Sequence, residues 1–201
     1  PLVKEWNFSP QIQKIPTLEQ LRAHQSAVGY QKICLDTTAH TVVFEAADMV
    51  LDPGASGKGF ALKLCVQALR DSGIEQACLD FGGNLYALGN KPDGSAWRAA
   101  IRHPRGGILG VVPIVDRGVA TSSWYEHGFV RAGKMYHHLL DPTTGMPRKS
   151  DISSISVLSS RAEYTDLLST AFFILGQNDG DRLLKCLRAE GIDVDYVLLG
   201  N

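Results

Sequence analysis

Cys78-Leu79-Asp80-Phe81-Gly82-Gly83-Asn84-Leu85-Tyr86-Ala87-Leu88 reads as two short apolar strands joined by a glycine turn. Paired glycines reverse the chain without steric cost, so the second strand can lie back along the first. The same rhythm continues outward. Strands are expected at Trp97–Ile101, Leu109–Val115 and Gly118–Thr121, separated by turns such as Lys91-Pro92-Asp93-Gly94. A hairpin is expected around Ala132-Gly133-Lys134, and another from residues 31–35 and 41–44 across the polar Asp36–His40 turn. Later come a strand at Ile152–Leu158, helices at Ala162–Leu175 and Asp179–Glu190, and a closing strand at Val194–Leu199. Upstream, Thr17 and Gln20 fit a capping box opening a helix to about Ala27. The glycine cluster Pro53–Gly59 runs into a helix from Phe60 to about Arg70, with Leu62, Val66 and Leu69 on one face. Runs of strands broken by helices predict an α+β fold, a mostly antiparallel sheet with packed helices. No repeat or linker divides residues 1–201, which read as a single domain.

Composition narrows the function. The chain has 201 residues, is 44% hydrophobic and carries a formal net charge of −1. That balance gives no electrostatic argument for nucleic acid or an anionic membrane, and no nucleic-acid partner is expected. No apolar stretch reaches the roughly 20 residues that span a bilayer. Cys34, Cys65, Cys78 and Cys186 lack CxxC spacing, so they are expected to pack as small hydrophobes rather than hold zinc. The chain opens at Pro1 rather than at a methionine, which reads as a processed or truncated piece whose signal or lipoprotein segment could lie upstream.

Two stretches carry the chemistry. Tyr136–Pro147, YHHLLDPTTGMP, gathers histidine, aspartate, threonines and glycine after an apolar strand. Thr165–Ala171, TDLLSTA, places Asp166 and Thr170 four apart in a helical pattern. Residues i and i+4 share a helix face, so the two oxygens can converge on one hard cation such as Mg²⁺. Such a pair alone is more often surface decoration. Joined to a histidine base and several glycine turns, it points to chemistry on a phosphate ester. His138 is the candidate general base, because an imidazole with a pKa of about 6.5 is available neutral at pH 7. Asp141 could orient it or contact substrate, and His137 is read as structural. Lys58 lies where a glycine-rich turn enters a helix, a place that favours an anion. A Walker A loop is excluded: Gly59 follows Gly57-Lys58 where Ser or Thr is needed, and Asp52 stands at the required first glycine.

Read together, six elements resemble the ApbE family of FAD:protein FMN transferases. They are residues 51–61, LDPGASGKGFA; 80–85, DFGGNL; Trp97 through Pro104; 119–126, VATSSWYE; 138–145, HLLDPTTG; and 166–171, DLLSTA. The resemblance implies transfer of FMN from FAD to a threonine or serine hydroxyl of a target protein, with AMP released. Such targets are typically subunits of membrane redox complexes or extracytoplasmic flavoproteins. A periplasmic location, or one on the outer face of the cytoplasmic membrane with a possible lipoprotein anchor, follows. It also implies a Mg²⁺ site from Asp166, Thr170 and the main-chain carbonyl of Ala55, with Ser169 adding a ligand directly or through water. Asp52 and Lys58 would contact FAD, Leu140 would touch flavin through its main chain, and Thr121, Ser122 and Tyr125 would line the pocket. Two departures stand out: Ser123 replaces a usual glycine and His127 a common arginine. Gly82 and Gly83 fit a turn as well as a ligand contact.

The chain also resembles a family domain entered well inside its N-terminal side. An upstream segment or a second chain is therefore expected beside residues 1–10 and the Gly54–Gly59 loop, with FAD held poorly without it. Two other functions remain open: a Mg²⁺-dependent FAD pyrophosphatase, in which water replaces the protein hydroxyl, and a non-catalytic flavin-binding module. Mere binding needs no base, which speaks against the latter.

Overall fold

The computed structural model describes residues 1–9 and 11–200. Pro10, the last residue of the 1–10 segment singled out above, lies outside them. In chain order the elements are α1 (Leu2–Trp6), α2 (Leu18–Ala23), β1 (Ile33–Asp36), β2 (Thr41–Phe44), α3 (Gly57–Asp71), β3 (Ala77–Phe81), β4 (Asn84–Leu88), β5 (Trp97–Arg102), β6 (Ile108–Ile114), β7 (Arg117–Ser123), β8 (Gly128–Arg131), β9 (Lys134–His137), β10 (Ile152–Ser159), α4 (Ala162–Leu175), α5 (Gln177–Ala189) and β11 (Val194–Gly200). They group into two compact units.

One unit comprises Pro1–Asp52 and Trp124–Lys149. Its core is built from Leu2, Trp6, Leu21 and Leu140, with Phe8, Ile15, Val28, Tyr136 and Met146 packed around them. Trp6 is fully buried, and its indole N–H donates to the Gly145 carbonyl at 2.7 Å. Gly145 has φ 70°, and a Cβ there would meet the Leu2 side chain at 3.0 Å, so both backbone and space call for glycine. The Thr17 capping box forms with both of its bonds. The helix it opens ends at Ala23 rather than Ala27, because the chain tightens into a 3-10 turn over Gln25–Ala27. α1 had no counterpart in the sequence reading; five residues are too few for a periodic pattern.

The other unit comprises Pro53–Ser123 and the chain from Ser150 onward. Its five-stranded sheet has the order β11-β10-β7-β4-β3, every neighbouring pair antiparallel. Successive side chains of a strand point to opposite faces, and β4 shows what covers each. Tyr86 and Leu88 pack with Leu62 and Val66 of α3 and Ala162 of α4. Ala87 packs with Ala99 and Ile114 of the β5–β6 hairpin, and with Val119 and Leu158. Helices thus cover one face and a hairpin the other, and all eight residues of β10 are buried. The α+β, antiparallel expectation holds. α3 begins at Gly57, three residues before the expected Phe60, so Lys58 and Gly59 stand in its first turn. The cysteine expectation fails: Cys34, Cys78 and Cys186 are exposed and Cys65 half-buried, each a free thiol on or near the surface.

Candidate functional site

In the sheet-bearing unit the candidate oxygens gather where α4 packs against the start of α3 and the end of β7. Asp166, Ser169 and Thr170 share one side of α4, as their spacing requires. Asp166 is 5% exposed, so its carboxylate needs partners. Oδ2 accepts the Gly59 N–H at 3.0 Å, and Oδ1 has the Lys58 ammonium at 3.9 Å. That approach depends on Gly59. A Cβ there would lie 2.8 Å from both the Ala162 carbonyl oxygen and the Asp166 Cβ, so only glycine lets α3 come this close to α4. Lys63 pairs with Glu163 at 3.2 Å across the same junction.

The hydroxyls form an ordered chain. Ser169 donates to the Asp166 carbonyl at 2.9 Å. Its single hydrogen is then used, so Ser122, 2.8 Å away, donates to Ser169, and Thr170, 3.1 Å from Ser122, donates to Ser122. With its hydrogen directed to Ser122, the Thr170 hydroxyl keeps lone pairs with which to accept or ligate. Thr121, the strand neighbour of Ser122, points to the opposite sheet face, where its hydroxyl meets Ser156 at 2.7 Å. Of that pair only Ser122 joins the oxygens of α4. Ala55 lies in a 3-10 turn, Pro53–Ala55, that leads toward α3 and packs against α4. Gly82 and Gly83 have φ of 62° and 92° and shape the β3–β4 turn, where the Gly83 N–H donates to Asp80 at 2.8 Å.

In the other unit, β8 and β9 end side by side at Gly128 and His137. Just beyond, the carbonyl of His127 receives both the backbone N–H of His138, at 3.1 Å, and its ring Nδ1, at 3.0 Å. A carbonyl can only accept, so Nδ1 carries the proton and Nε2 is the basic nitrogen. The two imidazoles meet edge to face with centroids 5.1 Å apart. His127 is a partner the sequence did not reveal, because it acts through its main chain. The Asp141 carboxylate serves its own turn: it accepts from the Thr143 N–H at 2.9 Å, from the Thr143 hydroxyl, and from Arg148 at 3.3 Å. Burial raises its pKa, but the Thr143 and Arg148 contacts outweigh that and hold it below the usual carboxylate value. The ring nitrogen of His138 is thus oriented by the His127 carbonyl, in the role the sequence offered to Asp141. The Leu140 side chain is in the core, and its backbone pairs with that of Pro147 in an isolated antiparallel bridge. His137 is buried, with Nε2 3.1 Å from the Arg148 carbonyl, and desolvation drives its pKa down to about 4. Asp52 is exposed and Tyr125 half-buried.

The sequence profile described as the ApbE family matches residues 1–194. The chain belongs to the ApbE family. It is 33% identical over 211 residues to the FAD:protein FMN transferase of Treponema pallidum (strain Nichols), covering 97% of this chain and 58% of that protein. It is 31% identical to the FAD:protein FMN transferase of Klebsiella pneumoniae (strain 342), covering 98% and 61%. Among solved structures, the apo flavinyl transferase ApbE of Pseudomonas stutzeri superposes with a TM-score of 0.81 at 32% identity, over 100% of this chain and 62% of that one. The ApbE protein of Thermotoga maritima gives 0.86 at 27% identity, over 98% and 64%. The chain thus spans about three fifths of the length of the curated ApbE relatives it matches.

The Asp166 cluster fits a small hard cation by the chemistry of its donors. Carboxylate, hydroxyl and main-chain carbonyl are all oxygens, which suit Mg²⁺ and not a soft metal. Among the described residues no group of three or more His, Cys, Asp or Glu gathers to hold a metal unaided. With one carboxylate beside a lysine, the cluster needs anionic oxygens from a ligand to complete a charge-balanced site.

Proposed function

We propose that this ApbE chain transfers FMN from FAD to a hydroxyl of a target protein, a threonine or serine, and releases AMP. The observation that carries the reading is the Asp166 cluster: one buried carboxylate braced by Gly59, flanked by Lys58 and by the Ser122–Ser169–Thr170 hydroxyls. The names of the relatives supply the reaction class. Asp166, Thr170 and the carbonyl of Ala55, with Ser169 beside them, would hold Mg²⁺. When bound, the ion would offset charge on the pyrophosphate and polarise the phosphorus under attack.

The chain's own residues do the rest. Lys58 is half-exposed and 3.9 Å from Asp166, so its ammonium can turn to a phosphate oxygen while staying near the carboxylate. Asp52, exposed at the surface, would accept hydrogen bonds from the nucleotide. His138 takes the proton of the attacking hydroxyl at Nε2, and its Nδ1–H remains on the His127 carbonyl throughout, fixing the tautomer. The reading carries with it a place outside the cytoplasm, where a redox-complex flavoprotein would be met.

A pyrophosphatase would use the same base and cation with water as acceptor. The two are separated by incubating the protein with FAD, Mg²⁺ and a candidate acceptor, then quantifying AMP, free FMN and protein-bound flavin. Transfer yields AMP and bound flavin in equal amounts. AMP matched by free FMN, with no bound flavin, would reject transfer in favour of hydrolysis.

A further inference from the structure

The β5–β6 ribbon turns one face to the sheet through Ala99, Ile101 and Ile114 and leaves the other exposed. Alternation puts Arg98, Ala100 and Arg102 on the outer face of β5, and Leu109, Val111 and Pro113 beside them on β6. The register sets Arg98 opposite Pro113 and Ala100 opposite Val111. Leu109 and Val111 remain 42% and 43% exposed. At one end a cavity of about 410 Å³ opens against the preceding turn, lined by Lys91, Ser95, Ala96, Arg98, Val111 and Pro113. The turn is well tied: the Lys91 N–H donates to the Ser95 carbonyl at 2.8 Å.

The charges here are one-sided. Residues 91–115 hold Lys91, Arg98, Arg102 and Arg105 against a single carboxylate, Asp93. Asp93 is occupied by the Ser95 backbone and hydroxyl, at 2.9 and 2.6 Å. The Lys91 ammonium stands 5.9 Å from the centroid of the Trp97 ring. Among the described residues, neither Arg98 nor Arg102 makes an ion pair or side-chain hydrogen bond. In a chain of net charge −1 this is a local basic face, not a general property of the molecule. Arginines interleaved with exposed aliphatic side chains are the composition of a recognition surface.

Spacing selects the occupant. Arg98 and Arg102 are four residues apart on a strand, about 13 Å at the usual rise. That is too far for one small anion and matches two carboxylates four residues apart on an extended peptide. The concavity at Lys91 and Arg98 admits a side chain, whereas a lipid surface needs no such pocket. We propose that the outer face of the β5–β6 ribbon is a docking surface for an extended acidic segment of another protein. One carboxylate enters the Lys91–Arg98 cavity, a second meets Arg102, and the apolar side chains between them lie on Val111 and Leu109. The surface lies within one compact unit and stands whether or not the flavin-transfer reading holds.

The test is fluorescence polarisation with a fluorescein-labelled peptide carrying two glutamates four residues apart and aliphatic residues between. The protein should bind it saturably, less tightly as salt rises, and should ignore the same peptide with lysines for glutamates. Arg98→Glu/Arg102→Glu should weaken binding by at least ~10-fold. Arg22→Glu/Arg182→Glu, an equal charge change elsewhere, should leave it unchanged. If the reversal variant melts early, Arg98→Gln/Arg102→Gln takes its place, with the same direction of effect. Absence of saturable binding, or equal binding by all variants, would overturn the proposal. So would binding to phosphatidylglycerol vesicles without binding to the peptide, which would make the face a membrane contact.

Discussion

Gly59 bears on Asp166 more than any side chain does, since the carboxylate is held by its N–H and a methyl group there would strike the backbone of α4. Gly59→Ala is expected to lower stability by about 1–3 kcal/mol, the usual cost of overpacking, read as a fall in the midpoint of urea unfolding. Ser123 offers the opposite case. It replaces the glycine usual at this place in the ApbE pattern, is 1% exposed, and its hydroxyl has no hydrogen-bond partner among the described residues. A buried unsatisfied hydroxyl costs about 1–3 kcal/mol, so Ser123→Ala should be neutral or stabilising in the same urea assay. The paired histidines separate by function. His138→Ala should slow transfer by ~10²- to 10⁴-fold, as loss of a general base does, with FAD affinity by flavin fluorescence little changed. His137→Ala should instead cost stability, since it empties a buried site hydrogen-bonded to Arg148. Equal loss of turnover in both variants at matched folded fraction would remove His138 as the base.

At the scale of elements, the sequence was most legible where a local signal is strong. The Thr17 capping box, the turn at Gly82-Gly83 and the helix over Ala162–Leu175 all correspond to what the chain forms. Less legible were features made by packing. The start of α3 at Gly57 shows no capping side chain and is set by its contact with α4. The hydroxyl chain from Thr170 to Asp166 joins β7 to α4 through Ser122 and Ser169, 47 residues apart in sequence, and no local pattern announces it. Asp166 and Thr170 could be paired from their spacing alone. That Thr121 faces away while Ser122 faces inward follows from strand alternation, but only once the covered side of β7 is known. The cysteines lie on or near the surface, contrary to expectation, because residue type says what is usually buried, not which positions of a strand or helix turn outward.

For the molecule as a whole, several groups make stability fall with acid. His137 is held neutral with a pKa of about 4, against an ordinary value near 6.5. Between those values the unfolded chain binds the proton and the folded chain does not, so stability is lost as pH falls through this window. The effect is on the order of 3 kcal/mol, and thermal melts from pH 7 to 4 should show it. Glu5, Asp141, Glu163 and Asp195 all have lowered pKa values and add to the loss at still lower pH. His137→Gln should flatten the upper part of that dependence while the carboxylate-driven fall remains.

The cation-dependent transfer of FMN proposed above rests on Asp166 and the hydroxyls beside it. Intact-mass spectrometry of an acceptor protein, after incubation with FAD and Mg²⁺, tests it most directly. A single FMN adduct is expected with the unaltered chain, no adduct when EDTA replaces Mg²⁺, and none with Asp166→Ala of unchanged circular dichroism. An adduct that forms equally well with Asp166→Ala, or without any divalent cation, would contradict the proposal.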